Sequence, residues 1–588
     1  MAGVEKLITE HIDVWTSAIK KRNSQGRGSN KKIELTGIKK LRELILELAV
    51  RGKLVPQDPS DEPASVLLAK IAEEKAQLLK DKLIKKPKKL PEIDEEDKTI
   101  SLPEGWEFVR LNELGEWGAG ATPRRGNSEL YGGDIPWFKS GELNADYIDK
   151  SEETVTELAL KQASLRYNKI GDVLLAMYGA TIGKTAILKV RATTNQAVCA
   201  CTPFTGFSNI FLLTLLKAYK PKFIGMGAGG AQPNISREKI IATVIALPPL
   251  AEQQRIVAKV DELMALCDQL EQQTEQSLSA HQTLVEVLLA SLTSDTSTDG
   301  DSKEDFQTSW QRIAEHFDVL FTTEASIEQL KQTILQLAVM GKLVPQNPND
   351  EPASVLLEKI AEEKAQLIAD KKIKKQKPLI SFNGLDEMMK PLPNSWEWIR
   401  LADTADLVRG GSPRPAGDPR FYDGKIPFLK VGDVTRKSSK FVEGFNATIK
   451  EAGLHKTRLI EVRTVLLSNS GATLGIPAIC DFPATFNDGI AAFVERSGSV
   501  FDEYLYLYLS TISKWFLDIA SRGQGQPNLN TDIIKATWFA LPPLAEQHRI
   551  VAKVDELMAL CEQLKIRLSD AQTTQLHLAD AVVENALN

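Results

Sequence analysis

The sequence predicts an α+β protein. Two mixed α/β inserts sit on a helical frame, and two long helices pair as an antiparallel coiled-coil spacer that separates the inserts in a pseudo-two-fold internal repeat. Three observations predict this. First, the chain repeats itself: Leu48–Leu79 returns at Leu337–Ile368, and Ala246–Leu270 returns at Ala540–Leu564, each about 290 residues later. Second, the stretches between the copies are similar in length, mostly differ in sequence, and read as short β-like runs broken by Gly and Pro. Third, apolar residues follow each insert in alternating steps of three and four, the period of a coiled coil. If insert and helix form one duplicated unit, a two-fold axis perpendicular to the helices makes them run antiparallel.

Taken in order, residues 1–100 form a helical N-terminal region. Ile38, Leu41, Leu44, Ile45, Leu48 and Ala49 recur at helical spacing and Gly52 supplies a stop. Pro56, Pro59 and Pro63 mark a turn, Asp61 is a candidate cap, and a helix follows over Ala64–Leu79. Residues 80–89 read as a solvated basic linker. The first insert spans 101–245 and the first spacer helix 246–293, with Pro249 at its start. Residues 294–390 hold a polar link (294–308) and a central repeat of the N-terminal helical region. The second insert spans 391–540 and the second spacer helix 541–588, with Pro543 at its start.

The predicted seam of the first spacer helix is Ile256, Val260, Leu263, Cys267 and Leu270, continuing through Thr274, Ser277, His281, Leu284 and Leu288. In the second it is Ile550, Val554, Leu557, Cys561 and Leu564, continuing through Leu568, Ala571, Gln575, Leu578 and Val582. About 40 residues at about 1.5 Å each make rods of roughly 60 Å.

The inserts share a signature as well as a length. Leu102-Pro103-x-x-Trp106-Glu107-x-x-Arg110-Leu111 opens the first, and Leu392-Pro393-x-x-Trp396-Glu397-x-x-Arg400-Leu401 opens the second. Thr122-Pro123-Arg124 matches Ser412-Pro413-Arg414, Gly179–Gly183 matches Gly471–Gly475, and Gln232-Pro233-Asn234 matches Gln526-Pro527-Asn528. One fold with two different surfaces is expected.

Composition bounds the partners. The net charge of −6 argues against nucleic acid at first sight, but its distribution does not. Residues 101–245 carry 16 Lys/Arg against 14 Asp/Glu, and 391–540 carry 17 against 16, so the inserts stand at +2 and +1 and the frame holds −9. Such inserts can touch DNA, yet tight binding needs a partner that supplies more cations. The five cysteines are few and odd in number, and Cys267 and Cys561 fall in apolar helical stripes, as expected of reduced thiols in a cytoplasmic protein. The charged start MAGVEKLITEHIDVW lacks an apolar signal core, and no run is long enough to span a membrane.

With these motifs quoted, the chain closely resembles the specificity subunits (HsdS) of type I restriction–modification systems, the EcoAI-like type IB group most of all. The resemblance rests on the two LPPLAEQ-x-RIVAKVDELMALC copies, the two LP-x-x-WE-x-x-RL openings and the two GKLVPQ-x-P-x-DEPAS copies. It implies two target-recognition domains, each reading half of a bipartite, asymmetric site on double-stranded DNA. It implies assembly with two methyltransferase (M) subunits that methylate adenine at N6 using S-adenosylmethionine. Two restriction (R) subunits add ATP- and Mg-dependent translocation and cleavage. Catalysis and cofactors then belong to M and R, and this chain is a non-catalytic recognition subunit without cofactor or metal of its own.

Candidate DNA contacts are polar and basic residues on Gly-rich loops. In the first insert they are Arg124, Arg125, Lys139, Tyr178, Gln232 and Asn234; in the second, Arg409, Arg414, Arg420, Lys430, Asn469, Ser470, Gln524, Gln526 and Asn528. Arg suits guanine, Asn and Gln suit adenine, and Lys takes phosphate. Residues shared by both inserts better suit the fold or the DNA backbone than base choice. The repeated helices Ala64–Leu79 and Ala353–Ile368 suit two copies of one partner, or simply pack beneath the inserts.

Enzymatic decoys are weaker. Gly179–Thr185 is one residue short of a phosphate-binding loop, and Ile476 stands where Lys184 does. Glu73-x-Lys75 and Glu362-x-Lys364 read as solvated helix faces. Cys199 and Cys201 have no spaced partners for zinc. Two alternatives remain at this stage: a self-contained DNA-modifying enzyme, which would bind S-adenosylmethionine alone, and a coiled-coil scaffold, which has no reason to carry two unlike inserts.

Overall fold

The computed structural model describes residues 2–21, 33–84, 90–98, 100–227, 233–293, 306–376, 378–381, 385, 389–436, 438–521 and 528–587. Residues 85–89 of the basic linker and 294–305 of the polar link lie outside them. The chain divides into two units, residues 1–277 with 570–588, and residues 278–569. Each expected long helix forms without interruption, Leu250–Thr293 and Leu544–Leu587, 44 residues apiece. Each begins in one unit and ends in the other. Among the described residues no helix is long and apolar enough to cross a membrane.

In the first unit the frame helix Thr36–Val50 buries Ile38, Leu41, Leu44, Ile45 and Leu48, the stripe read from the sequence. Gly52 follows at φ +68°, and a Cβ there would stand 2.4 Å from Pro103 Cγ, so only glycine lets this turn close on the start of the insert. Both long-helix segments of this unit flank the frame helix. Arg42 pairs with Asp268 and Glu271 at 2.6 Å each, and Gln57 reaches Glu252 at 2.8 Å. On the other segment Lys40 pairs with Asp580, and Lys53 Nζ donates to the Leu587 carbonyl at 2.6 Å. As the chain rises from 40 to 57, partners descend from 271 to 252 on one segment and rise from 580 to 587 on the other. Within the unit the two segments therefore run in opposite directions.

The second unit repeats the plan on Glu324–Val339. Gln329 bonds Glu286 at 2.9 Å, Lys331 pairs with Glu562, Gln346 bonds Glu546 at 2.6 Å and Arg549 pairs with Asp350 at 2.6 Å. Val285, Leu289 and Leu292 join Ile327, Leu330, Ile334, Ile550, Val554 and Cys561 in one apolar core.

The seam is buried at Ile256, Val260, Leu263, Cys267 and Leu270, and at Ile550, Val554 and Cys561, with Leu557 and Leu564 partly buried against the core. Beyond it Thr274, His281, Leu288, Leu568, Gln575 and Val582 are half-buried as expected, while the alternate positions are off by one residue. Ser277, Leu284, Ala571 and Leu578 are exposed, whereas Val285 and Ala579 are buried and Leu278 and Gln572 are half-buried. An α-helix turns every 3.6 residues, so a stripe kept at 3.5 drifts about 20° per heptad, and after three heptads the next residue faces inward.

Each insert is closed by its ends. Glu107–Arg110 pairs antiparallel with Val244–Leu247, and Glu397–Arg400 with Trp538–Leu541, so the repeated opening and the strand before each long helix form one ribbon. The first insert holds a five-stranded sheet in the order 115–119, 198–203, 173–176, 185–188, 147–148, and a three-stranded one in the order 193–194, 131–138, 153–155. The second holds two four-stranded sheets, 406–409, 490–494, 464–468, 477–480 and 448–449, 422–429, 484–486, 458–460. Central strands such as Val173–Ala176 and Thr464–Ser468 are buried along their length because a helix covers the face turned from the other sheet. That helix, Asn209–Ala218 or Asp502–Thr511, also packs on the frame helix of its unit and seats the insert. Gly179–Thr181 is a 3-10 turn between two strands, consistent with the expected strand–turn–strand.

Two local expectations are corrected. Asp61 does not cap Ala64–Lys80, whose N-cap is Pro63; its carboxylate instead binds Arg255 at 2.5 Å, as Asp350 binds Arg549. Lys75 and Lys364 are not on solvated faces. They are largely buried and tether the insert at Glu113 (2.7 Å) and Asp403 (2.8 Å).

Candidate nucleic-acid interface

In the first insert, Gly120 lies against the Thr194 and Asn195 carbonyls, which a Cβ would meet at 2.2 and 2.4 Å. The loop that follows presents Arg124 and Arg125, both exposed. The Arg125 guanidinium lies 5.0 Å from the centroids of Tyr131 and Trp137 and bonds Glu153 at 2.5 Å. Lys139 Nζ bonds Glu152 and Glu153 at 2.9 and 3.0 Å. Arg125 first, and Lys139 second, hold the Glu153 carboxyl below its ordinary pKa. Two of the six candidates are thus joined through one carboxylate. Tyr178, 40% exposed, pairs by its backbone with Asn234, also exposed. Gln232 lies outside the described residues.

The second insert repeats the close approach at Gly410, where a Cβ would stand 2.2 Å from the Asn487 carbonyl. Arg409 Nε donates to the Asp488 carbonyl at 2.6 Å, Ser412 Oγ donates to the Asp488 carboxylate at 2.6 Å, and Arg414 stands 3.9 Å from it. The Ser412 hydroxyl, ahead of the Arg414 and Arg409 charges, keeps that carboxyl below its ordinary range. Asn487 donates its backbone N–H to Leu429, the residue before exposed Lys430, and Gly489 accepts from the Asn469 N–H. Ser470 pairs with Asn528 as Tyr178 does with Asn234. The turn 487–489 therefore gathers Arg409, Arg414, Lys430, Asn469, Ser470 and Asn528.

Two candidates fit less well. Arg420 is committed to Asp418, two residues away, with contacts of 2.6 to 3.0 Å that hold the aspartate at about 2. Asn469 is fully buried and neither of its side-chain polar atoms has a partner within the described residues, so it offers no exposed edge. Gln524 and Gln526 lie outside the described residues.

The sequence reading missed the turn itself, Asn195-Gln196-Ala197 and Asn487-Asp488-Gly489, and the anion Glu153. The signal was available: Thr193-x-Asn195 aligns with Thr485-x-Asn487, and the residue that follows differs.

It also missed what the repeated motifs do to each other. Trp106 Nε1 donates to Glu252 at 2.9 Å and Trp396 Nε1 to Glu546 at 3.0 Å, each across about 150 residues of chain. Burial raises both glutamate pKa values, and the tryptophan and glutamine donors partly offset it. These carboxylates latch each insert to its long helix.

Comparison with known proteins follows the same division. Residues 103–280 and 393–570 each match the family model described as the type I restriction modification DNA specificity domain. Over its full length the chain is 40% identical to the type I restriction enzyme EcoAI specificity subunit of Escherichia coli, covering 100% of both chains. It is 39% identical to the EcoEI subunit of the same organism, again covering 100% of both chains. The MjaIX subunit of Methanocaldococcus jannaschii is 24% identical over 77% of this chain and 88% of that one. Among solved structures, the HsdS subunit from Thermoanaerobacter tengcongensis aligns over 83% of this chain and 98% of its own, at 18% identity and a TM-score of 0.40.

Proposed function

We infer the function from one premise: this chain belongs to the family of type I restriction–modification DNA specificity subunits. It is a specificity subunit like the relatives it matches, and we propose that it is the non-catalytic recognition part of its system. Beyond that, we propose that residues 101–245 and 391–540 each read one half of a bipartite, asymmetric site on double-stranded DNA. The helices Leu250–Thr293 and Leu544–Leu587 set the gap between the halves. M subunits bound to the repeated frame methylate adenine, and R subunits add cleavage. The observation that carries this reading is the pair of turns at 195–197 and 487–489, built alike in the two inserts, each presenting one different polar side chain, exposed Gln196 or half-exposed Asp488. Two unlike readers on one frame suit an asymmetric site whose halves share the same approach.

The test is to co-express the chain with a cognate methyltransferase subunit and map N6-methyladenine across the host genome. A two-part motif with a fixed unspecific gap is expected. Methylation at a single continuous motif, or S-adenosylmethionine binding by this chain alone, contradicts the reading.

The Glu153 cluster supplies a second prediction. Its carboxylate holds Arg125 and shares Lys139 with Glu152, so Glu153→Gln combined with Glu152→Gln frees two cations for phosphate. Affinity of the assembled complex for its own site is expected to rise. The slope of log affinity against log salt should steepen by up to about 1.8, two phosphates at about 0.9 each. A filter-binding titration between low and moderate salt checks this, and an unchanged slope places the cluster away from DNA.

A further inference from the structure

The two turns share more than a location. In each, the preceding strand runs parallel to a long strand of its sheet, Thr193 and Thr194 beside Trp137 and Phe138, Thr485 and Phe486 beside Phe428 and Leu429. The Thr193 hydroxyl bonds the Pro136 carbonyl at 3.1 Å, and that of Thr485 bonds Pro427 at 2.7 Å. Asn195 N–H donates to Phe138 at 2.9 Å, and Asn487 N–H to Leu429 at 3.0 Å. The asparagine side chains are spent inside the turn, accepting from Ala197 N–H at 3.1 Å and from Gly489 N–H at 3.2 Å. The exits match as well: Met177 N–H donates to Ala197 at 2.8 Å and Asn469 N–H to Gly489 at 2.9 Å. Gly120 and Gly410 each donate to the strand beyond at 3.0 Å.

Backbone and Asx turn are thus the same, and the side chain between them is not. Gln196 is exposed and makes no side-chain hydrogen bond among the described residues. Asp488 is half-exposed, its carboxylate held by Ser412, with Arg414 close by. Cations stand near both: Lys139 follows Phe138 in the first insert, and Lys430 follows Leu429 in the second. A rigid turn beside a lysine in each insert, Lys139 held by Glu152 and Glu153 and Lys430 exposed, with one outward side chain that differs between the readers, has the arrangement that base selection requires.

We propose that residues 196 and 488 are specificity-determining positions, one for each half-site: Gln196 takes adenine through paired donor and acceptor, and Asp488 accepts from the exocyclic amine of cytosine. The pairing follows from side-chain chemistry, since a glutamine amide matches the adenine N6/N7 edge and a carboxylate can only accept, as cytosine N4 demands. The proposal rests on the DNA-reading function proposed above, which it deepens.

The test uses the full chain assembled with its methyltransferase subunit, and maps N6-methyladenine for wild type, Gln196→Ala and Asp488→Asn. Gln196→Ala removes no hydrogen bond of the turn, so the fold is undisturbed. It is expected to lower preference at one base pair of one half-site about tenfold or more, with the other half-site unaltered. Asp488→Asn keeps the shape and adds a donor, and should alter one base pair in the opposite half-site. A wild-type complex that yields no bipartite motif defeats the DNA-reading function itself. A wild-type motif that both variants reproduce unchanged overturns this assignment alone, because a purely structural turn residue cannot move preference at a single position of one half.

Discussion

Removing one heptad from each long helix, residues 271–277 and 565–571 together, is expected to abolish methylation at the original sites or move it to a different gap. Seven residues at about 1.5 Å shorten a helix by roughly 10 Å, the rise of about three base pairs. Half-sites on one face of B-DNA stand about 34–36 Å apart, one turn, so three base pairs also rotate a groove by roughly a third of a turn. A reader displaced and rotated this far meets phosphate where it met base edges, and methylation at the original spacing should fall more than about tenfold. The deletion leaves the helices intact, because seven residues are close to two full turns and the apolar stripe stays in line. It does remove the Glu271–Arg42 and Lys565–Glu328 pairs. Both have exposed partners and contribute at most about 1 kcal/mol. Arg42→Ala and Lys565→Ala serve as controls and should methylate as wild type does. Genome-wide mapping of N6-methyladenine measures all of these, and an unshortened motif methylated at full rate by the deletion defeats the spacer reading.

How far the sequence revealed the molecule depends on the range of each contact. The two 44-residue helices and the shared fold of the inserts were legible, because periodicity and repetition are local or self-comparing signals. The seam was legible only until the mismatch between 3.5 and 3.6 residues accumulated, which is why Leu284 and Leu578 were placed one residue away from the buried Val285 and Ala579. Local sequence points to Asp61 as a helix cap because caps are local, whereas its partner Arg255 is 194 residues away. Local sequence points Lys75 to a solvated face for the same reason, since its partner Glu113 belongs to the insert. In the candidate site, charged loop residues were easy to find, but Asp488 and Gln196 were not. Their role rests on a turn whose hydrogen bonds come from four separate stretches of chain.

Repetition did mark the latch without explaining it, and the latch carries the second large expected effect. Trp106→Ala and Trp396→Ala should each cost about 3–5 kcal/mol of stability, the range for truncating a large buried aromatic. Each ring is 4% exposed and packs beside a left-handed glycine, Gly52 or Gly341, and its indole N–H meets Glu252 or Glu546. The two losses should be alike, since Pro103, Gly52, Gln57 and Glu252 around Trp106 repeat as Pro393, Gly341, Gln346 and Glu546 around Trp396. Trp106→Phe separates the contributions: most of the ring volume stays and the donor goes, leaving Gln57 as the bonded side chain on a buried carboxylate, at a cost of about 1–3 kcal/mol. That cost depends on pH in a fixed direction. Burial raises the Glu252 pKa above its unfolded value, so what this group contributes to stability is fully present below the unfolded pKa and fades as pH rises through the folded one. Losing a donor to the charged form raises the folded pKa further. The penalty of Trp106→Phe should therefore be largest near neutral pH, where the carboxylate is ionised, and shrink as pH falls and protonates it. Denaturation midpoints of wild type and variant at neutral and mildly acidic pH measure this, and a penalty that grows on acidification would mean the indole does not serve the carboxylate.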